Sequence, residues 1–285
     1  MNDMRSRAAQ LLRGSYDLHT HASPSHFPRA LDDFQLLRDA DRYGMKGIMF
    51  KCHYEPTTGR AAIANAHAGT TAKAYGSVAL NWPSGGLNPY AAEACLKMGG
   101  KMVWMPTLDT ELFMSTGKPF GTFNKRPGIT VLDADGKVLP VVHAIFDVML
   151  QYDAYLATGH LSAAESLALC KAGRERGVRM ILTHPDFART PIPFAVQAEV
   201  AGLGVLVEKV WLNVKTGDVP AGEMADSIRK LGPDRTFLVT DRGQANAEFP
   251  AEAMVEAVET MLGCGLSDAD IRQLICVVPE RILGV

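Results

Sequence analysis

Tyr16-Asp-Leu-His19-Thr-His21 is the stretch on which the fold turns. Residues two apart on an extended chain point the same way, so both imidazoles face one side of a strand. A second apolar run ends in Lys51-Cys-His53, again an alternate pair. Further along, Ala154–Thr158 leads into Gly159-His160, Arg179–Thr183 into His184-Pro185, and Thr236–Thr240 into Asp241-Arg242. Five of the eight histidines and one aspartate therefore stand at the C-terminal ends of candidate strands. In a parallel barrel those ends converge on a single mouth, where such folds keep their chemistry.

Working outward, short apolar runs alternate with amphipathic stretches over the whole chain. Candidate strands are 16–19, 47–52, 76–80, 102–105, 154–158, 179–183, 205–208 and 236–240. Between them lie helical patterns over 31–43, 89–98, 162–176, 193–201, 221–231 and 251–262. Ser267, with Asp270 three residues on, announces a last helix. Eight strands with intervening helices predict an α/β fold, a single (β/α)8 TIM barrel over residues 1–285. A doubly wound open sheet is the alternative that alternation alone leaves standing. One segment breaks the rhythm: residues 107–140, after the fourth strand, are too long for an ordinary barrel loop. Gly128–Asp133, Ala134-Asp-Gly136 and Lys137-Val-Leu139 read there as a β-hairpin insertion, preceded by Phe113, Phe120, Phe123, Lys125 and Arg126. Such an insertion serves as a cover for the mouth or as a packing element between subunits.

Composition narrows the class. With 285 residues, 47% hydrophobic and 21% charged, the chain can bury a large core. A formal charge of -2 gives no electrostatic case for nucleic acid or an anionic membrane. The N-terminus lacks an apolar signal core, and no apolar run is long enough to span a bilayer. Five cysteines, odd in number and without CxxC spacing, read as reduced thiols. The expectation is a cytoplasmic homo-oligomeric enzyme whose partner is a small molecule.

Imidazole and carboxylate together suit zinc first, then manganese or ferrous iron. Any one of these histidines alone would be an ordinary core or loop residue. The set resists that reading, because equivalent strand-end positions would all have been filled by accident. Asp17-Leu-His19-Thr-His21, followed by His160, His184 and Asp241, resembles the amidohydrolase superfamily. Val278-Pro-Glu-Arg-Ile-Leu-Gly-Val285 is similar to that superfamily's closing segment. Lys51-Cys-His53-Tyr-Glu55-Pro-Thr57, Trp104-Met-Pro-Thr107 and Ala157-Thr-Gly-His160-Leu-Ser162 resemble one branch of it, marked by a KxHxEPT motif. The resemblance implies that His19, His21 and Asp241 bind one divalent metal, and that His160 and His184 bind a second.

The bridging group departs from the family pattern. A carboxylated lysine or glutamate usually follows the fourth strand, but here Pro106, Thr107, Leu108 and Asp109 follow it. Lys51 is the substitute: either a carbamate joining two ions, or an amine or ammonium holding an anionic substrate beside a single metal. His53 is open to three roles, namely ligand, orienter and substrate contact. Asp17 reads as a partner of the ligands or as a buried polar residue at the strand start. Hydrolysis of an amide, lactone or ester follows, with Asp241 orienting water and moving its proton, while Lys51 and His53 are the other catalytic candidates. The substrate class is a small anionic or cyclic organic molecule, for which Arg29, Arg60, Arg189 and Arg242 are candidate carboxylate clamps. A metal-dependent hydratase or decarboxylase in the same pocket is the second reading, and a non-catalytic metal-binding barrel the third.

Overall fold

The computed structural model of the protein describes residues 3–116 and 126–285. Strands β1 (Tyr16–Thr20), β2 (Gly47–Phe50), β3 (Lys73–Tyr75), β4 (Ser77–Ala79) and β5 (Met102–Trp104) come first. They are followed by β6 (Tyr155–Ala157), β7 (Arg179–Leu182), β8 (Leu206–Val210) and β9 (Thr236–Val239). The pairs β1–β2, β2–β3, β4–β5, β5–β6, β6–β7 and β7–β8 all run parallel. Parallel neighbours need long crossovers, and helices supply most of them. The expected α/β class with parallel strands is therefore observed.

Two compact units make up the chain. The first comprises the residues up to Lys51, Gly59–Tyr75 and Glu208–Val285. It carries β1, β2, β3, β9 and the last three residues of β8, with β9 beside β1. Its core gathers Leu12, Leu36, Ile48, Phe50, Met254 and Ile275, all at most 1% exposed. The N-terminal helix Asp3–Leu11 packs on Pro250–Gly263, and Arg5 pairs with Glu252 and Glu259 across that contact. The closing segment Val278–Leu283 packs against β1 and β9, the strands that carry the first histidines and Asp241. The second unit, Cys52–Thr58 and Gly76–Val207, holds β4 to β7 and the start of β8. Its core is built on Trp104, Phe146, Leu156 and Met180, each fully buried.

Local chemistry explains the element ends. Asp32 with Gln35, Ser162 with Glu165 and Ser267 with Asp270 each close a capping box over the first turn of a helix. Most strand ends fall within two residues of those expected from the sequence. The third strand differs. Instead of one run over 76–80 there are two pieces, β3 and β4, divided at Gly76. Gly76 passes so close to the Thr58 backbone that a side chain would collide with it, and the chain breaks its extended course there.

The hairpin in the insertion is present. Asp133 N–H donates to Lys137 O at 2.8 Å, and Leu139 N–H to Val131 O at 2.9 Å. The neighbouring Thr130 hydroxyl donates to the capping carboxylate Glu165 at 2.8 Å, tying the hairpin base to the helix Ala163–Glu175. Phe120, Phe123 and Lys125 lie outside the described residues. Among the described residues no helix is long and apolar enough to cross a membrane.

Candidate metal centre

The first unit builds its site on the end of β1. Asp241 N–H donates to His19 O at 2.9 Å, and His21 N–H to Arg242 O at 2.8 Å. These bonds lace the end of β1 to the loop that leaves β9. Gly243 follows at φ +138, and any Cβ there would strike the His21 carbonyl. Only glycine lets the two segments approach this closely. Asp241 itself is held at φ +53, a conformation uncommon for a residue with a side chain and one that clusters at functional sites.

The imidazoles are aimed by their outer nitrogens. His21 Nδ1 lies 2.8 Å from the Lys51 carbonyl, which can only accept, so Nδ1 carries the proton and Nε2 the lone pair. His19 Nδ1 lies 3.1 Å from Glu208 Oε1, and a carboxylate acceptor fixes the same tautomer. His19 Nε2 and His21 Nε2 then stand 3.2 and 2.9 Å from the same atom, Asp241 Oδ1. Among the described residues this is the one group of three or more side chains able to hold a metal ion. Lys51 joins it, with Nζ 2.9 Å from His19 Nε2.

Electrostatics favour neutral rings. Burial pushes His19 down to about 3, assisted by the charges of Lys51 and Arg29 and opposed by Asp241. Burial also drives His21 well below the usual range, assisted by Arg29, His19 and Lys51. Both rings are thus neutral at pH 7, the state a metal ligand must have. Beneath them Asp17 accepts from the Thr240 hydroxyl at 2.5 Å and from the backbone N–H groups of Thr240 and His19 at 3.2 Å each. Full burial still pushes its carboxyl up to about 7 against those bonds.

These shifts set an acid limit on the metal-free fold. Between about pH 4 and 6.5 the unfolded chain protonates two imidazoles that the folded chain keeps neutral, while folded Asp17 holds one proton that unfolded Asp17 lacks. The unfolded state binds one proton more, so stability should fall by about 1 kcal/mol per pH unit as acid is added. His21→Asn removes one of the two imidazoles and should flatten that dependence. Urea midpoints of metal-free protein at pH 7, 6 and 5 check it, and an equal slope in both proteins would refute the assignment.

Glu208 escaped the sequence reading. It sits fully buried in β8, within Leu-Val-Glu-Lys-Val, and a carboxylate inside so apolar a run was the one available signal. Because it holds the His19 tautomer, Glu208→Gln should weaken metal affinity by roughly 10–100-fold with the fold intact. Competition against a metallochromic chelator measures this, and unchanged affinity would reduce Glu208 to a packing residue.

The second unit gathers the other histidines. The rings of His160 and His184 have centroids 4.8 Å apart, and His53 stands 6.0 Å from His160. His184, like Asp241, has positive φ, at +23. Phe113 of the insertion lies 4.8 Å from the His160 ring, with Phe187 5.9 Å from it. The insertion therefore stands beside a strand-end histidine, and Arg189 caps it, 3.7 Å above the Phe113 ring. The structure thus sorts the predicted residues into two constellations, His19, His21, Lys51 and Asp241 in one unit and His53, His160 and His184 in the other. Of the candidate clamps, Arg60 is bidentate to Asp33, Arg242 pairs with Glu248, and Arg29 donates to Ser25 Oγ at 3.3 Å.

Residues 14–208 match the model of a family described as a family of unknown function, DUF6282. No curated protein matches the chain. Solved structures do. An amidohydrolase from Pseudomonas aeruginosa is 13% identical, with 98% of each chain covered and a TM-score of 0.65. The probable dipeptidase PvdM from Pseudomonas aeruginosa is also 13% identical, covering 99% of this chain and 98% of its own, at a TM-score of 0.67. A probable 2-pyrone-4,6-dicarboxylic acid hydrolase from Acinetobacter baumannii, solved with citric acid bound, is 10% identical, covering 95% and 100%, at 0.63. The chain shares the fold of these proteins, in agreement with the resemblance carried by its histidine motifs.

Proposed function

The chain belongs to the DUF6282 family, and we propose that it is a metal-dependent hydrolase opening an amide, lactone or ester bond of a small organic substrate. One observation carries this reading: two buried imidazoles of fixed tautomer converge, through Nε2, on one carboxylate oxygen. A structural role would not require three potential ligands to share a point. The donor set fits zinc best, ahead of manganese or iron. A divalent ion there would lower the pKa of water and polarise the substrate carbonyl.

The chain's own groups supply the rest. His19 and His21 stay neutral and rigid, held by Glu208 and by the Lys51 carbonyl. Asp241 uses Oδ1 toward the imidazoles, and among the described residues its Oδ2 takes no hydrogen bond, so Oδ2 is placed to accept a proton. Lys51 is proposed to serve as a carbamate. As an ammonium it would donate into the His19 lone pair that a ligand must offer, whereas a carbamate presents anionic oxygens. The solved relatives in fold support small-molecule chemistry through their names alone.

The test is metal content and turnover on one preparation. Zinc should be present, chelation should abolish turnover of a panel of esters, lactones and amides, and zinc should restore it. Protein grown with 13C-bicarbonate should show a carbamate carbon that Lys51→Arg lacks. Absence of any transition metal after reconstitution would sink the proposal, and a missing carbamate signal would remove Lys51 from it.

A further inference from the structure

Asp241 holds a backbone conformation that its side chain disfavours. A residue other than glycine at φ +53 stays there only where its surroundings over-determine it. Backbone bonds supply part of that constraint. Asp241 N–H donates to His19 O at 2.9 Å, His21 N–H to Arg242 O at 2.8 Å, and Ala30 N–H to Gly243 O at 3.0 Å. All three tie the loop to β1 and to the chain that follows it.

A series of ion pairs ties the same loop to other elements. Arg242 Nη2 pairs with Glu248 Oε1, closing the loop from 242 to 248 on itself. That carboxylate oxygen also lies 3.4 Å from Lys215 Nζ, which pairs with Glu256 at 2.9 Å. Lys215 ends the helix Trp211–Lys215 that leaves β8, and Glu256 belongs to the helix Pro250–Gly263. Charges alternate in sign along the series, so each one favours its neighbours, and the loop is braced against two helices of its own unit. Stability alone does not account for Arg242. Its side chain is 7% exposed, and its Nε is buried with no hydrogen-bond partner among the described residues. A desolvated, incompletely satisfied guanidinium costs folding free energy that an apolar side chain of similar length would not. What such a pair can supply instead is one fixed arrangement of the chain.

We propose that Arg242 and Glu248 are positioning residues for Asp241: their ion pair, backed by Lys215, keeps the loop after β9 in the conformation that places Asp241 Oδ1 where His19 Nε2 and His21 Nε2 meet. Arg242 is then an internal brace and not a clamp for a substrate carboxylate. The consequence for metal binding rests on the hydrolase reading, whereas the brace is a property of the metal-free chain.

Zinc affinity and amide exchange of the full chain test the two parts. Arg242→Met and Glu248→Gln remove opposite charges. Charges acting on a cation only through space would make Arg242→Met tighten zinc and Glu248→Gln weaken it, with the double variant close to wild type. The brace makes a different forecast. Both single variants should weaken zinc by about tenfold, the lower end of what loss of a supporting group costs. The double variant should be no weaker than either single one, because the brace can be lost only once. In the metal-free chain the amides of Asp241 and His21 should exchange severalfold faster in each variant. The Lys46 amide, bonded to Ser15 O at 2.8 Å at the start of β1, should keep its wild-type rate. Opposite signs in the two single variants overturn the proposal, as does unchanged zinc affinity or unchanged exchange at Asp241. Equal acceleration at Lys46 overturns it too, by reducing the pair to a general contribution to stability. Glu248→Gln is the gentler change and decides by exchange if Arg242→Met does not fold. If the wild type binds no zinc, the hydrolase reading fails, and exchange at Asp241 still decides the brace.

Discussion

Protein carrying His19→Ala and His21→Ala together should fold and yet emerge nearly free of transition metal. The two rings supply two of the three converging donor atoms, and the third, Asp241 Oδ1, is a single carboxylate oxygen that cannot hold an ion unaided. The loss should exceed the roughly 10–100-fold that removal of a merely supporting group costs. Folding should survive, because both substitutions shrink polar side chains beside one another and also remove the cost of keeping two imidazoles neutral in the interior. His143, on the helix Pro140–Gln151, provides the control, since His143→Ala should keep its metal. Elemental analysis of the three proteins, with circular dichroism as the check on folding, decides the matter. A double variant that retains wild-type metal would show that the convergence of His19, His21 and Asp241 has another purpose.

The parts of this centre legible in the sequence were those whose logic is local. His19 and His21 announce themselves because a strand has period two, and Asp241 because it ends an apolar run. Glu208 was not legible: its meaning depends on His19, 189 positions away in the chain, and nothing near it in sequence reports that contact. The same holds for Asn81 and Thr107, whose hydrogen bonds tie together residues 26 and 54 positions apart, Asn81 to Thr107 and Thr107 to His53. The helices Asp3–Leu11 and Thr58–His67 were missed for a different reason. Their apolar residues are mostly alanines, which bury well but give a weak periodic signal. The division of the third strand at Gly76 depends on how closely Thr58 approaches, again a contact that sequence cannot display. Periodicity thus located the candidate ligands, while their orientation was written in long-range hydrogen bonds.

Asp241→Asn should separate metal binding from catalysis. The substitution keeps the shape and one oxygen donor toward the imidazoles, and it removes the basicity. Asp241 leaves β9 after the buried run Phe237-Leu-Val239, with its backbone N–H fixed to His19 O at 2.9 Å and its φ held at +53. Gln244 Nε2 donates to its carbonyl at 2.9 Å, so the loop beyond it is tied as well. A carboxylate held this firmly can keep within about 2.6–3.2 Å of the proton it must take. Zinc content should therefore fall little, while turnover of whichever ester, lactone or amide the wild type accepts drops by roughly 10²–10⁴, the usual worth of general acid–base catalysis. If the aspartate were only a ligand, activity would fall in step with metal, and the rate per bound zinc would not change. Measuring occupancy and rate on the same sample distinguishes these outcomes without assuming the substrate's identity. An unchanged rate per zinc would require another group to move the proton. Within the first unit the candidate for that group is Lys51, whose Nζ lies 2.9 Å from His19 Nε2.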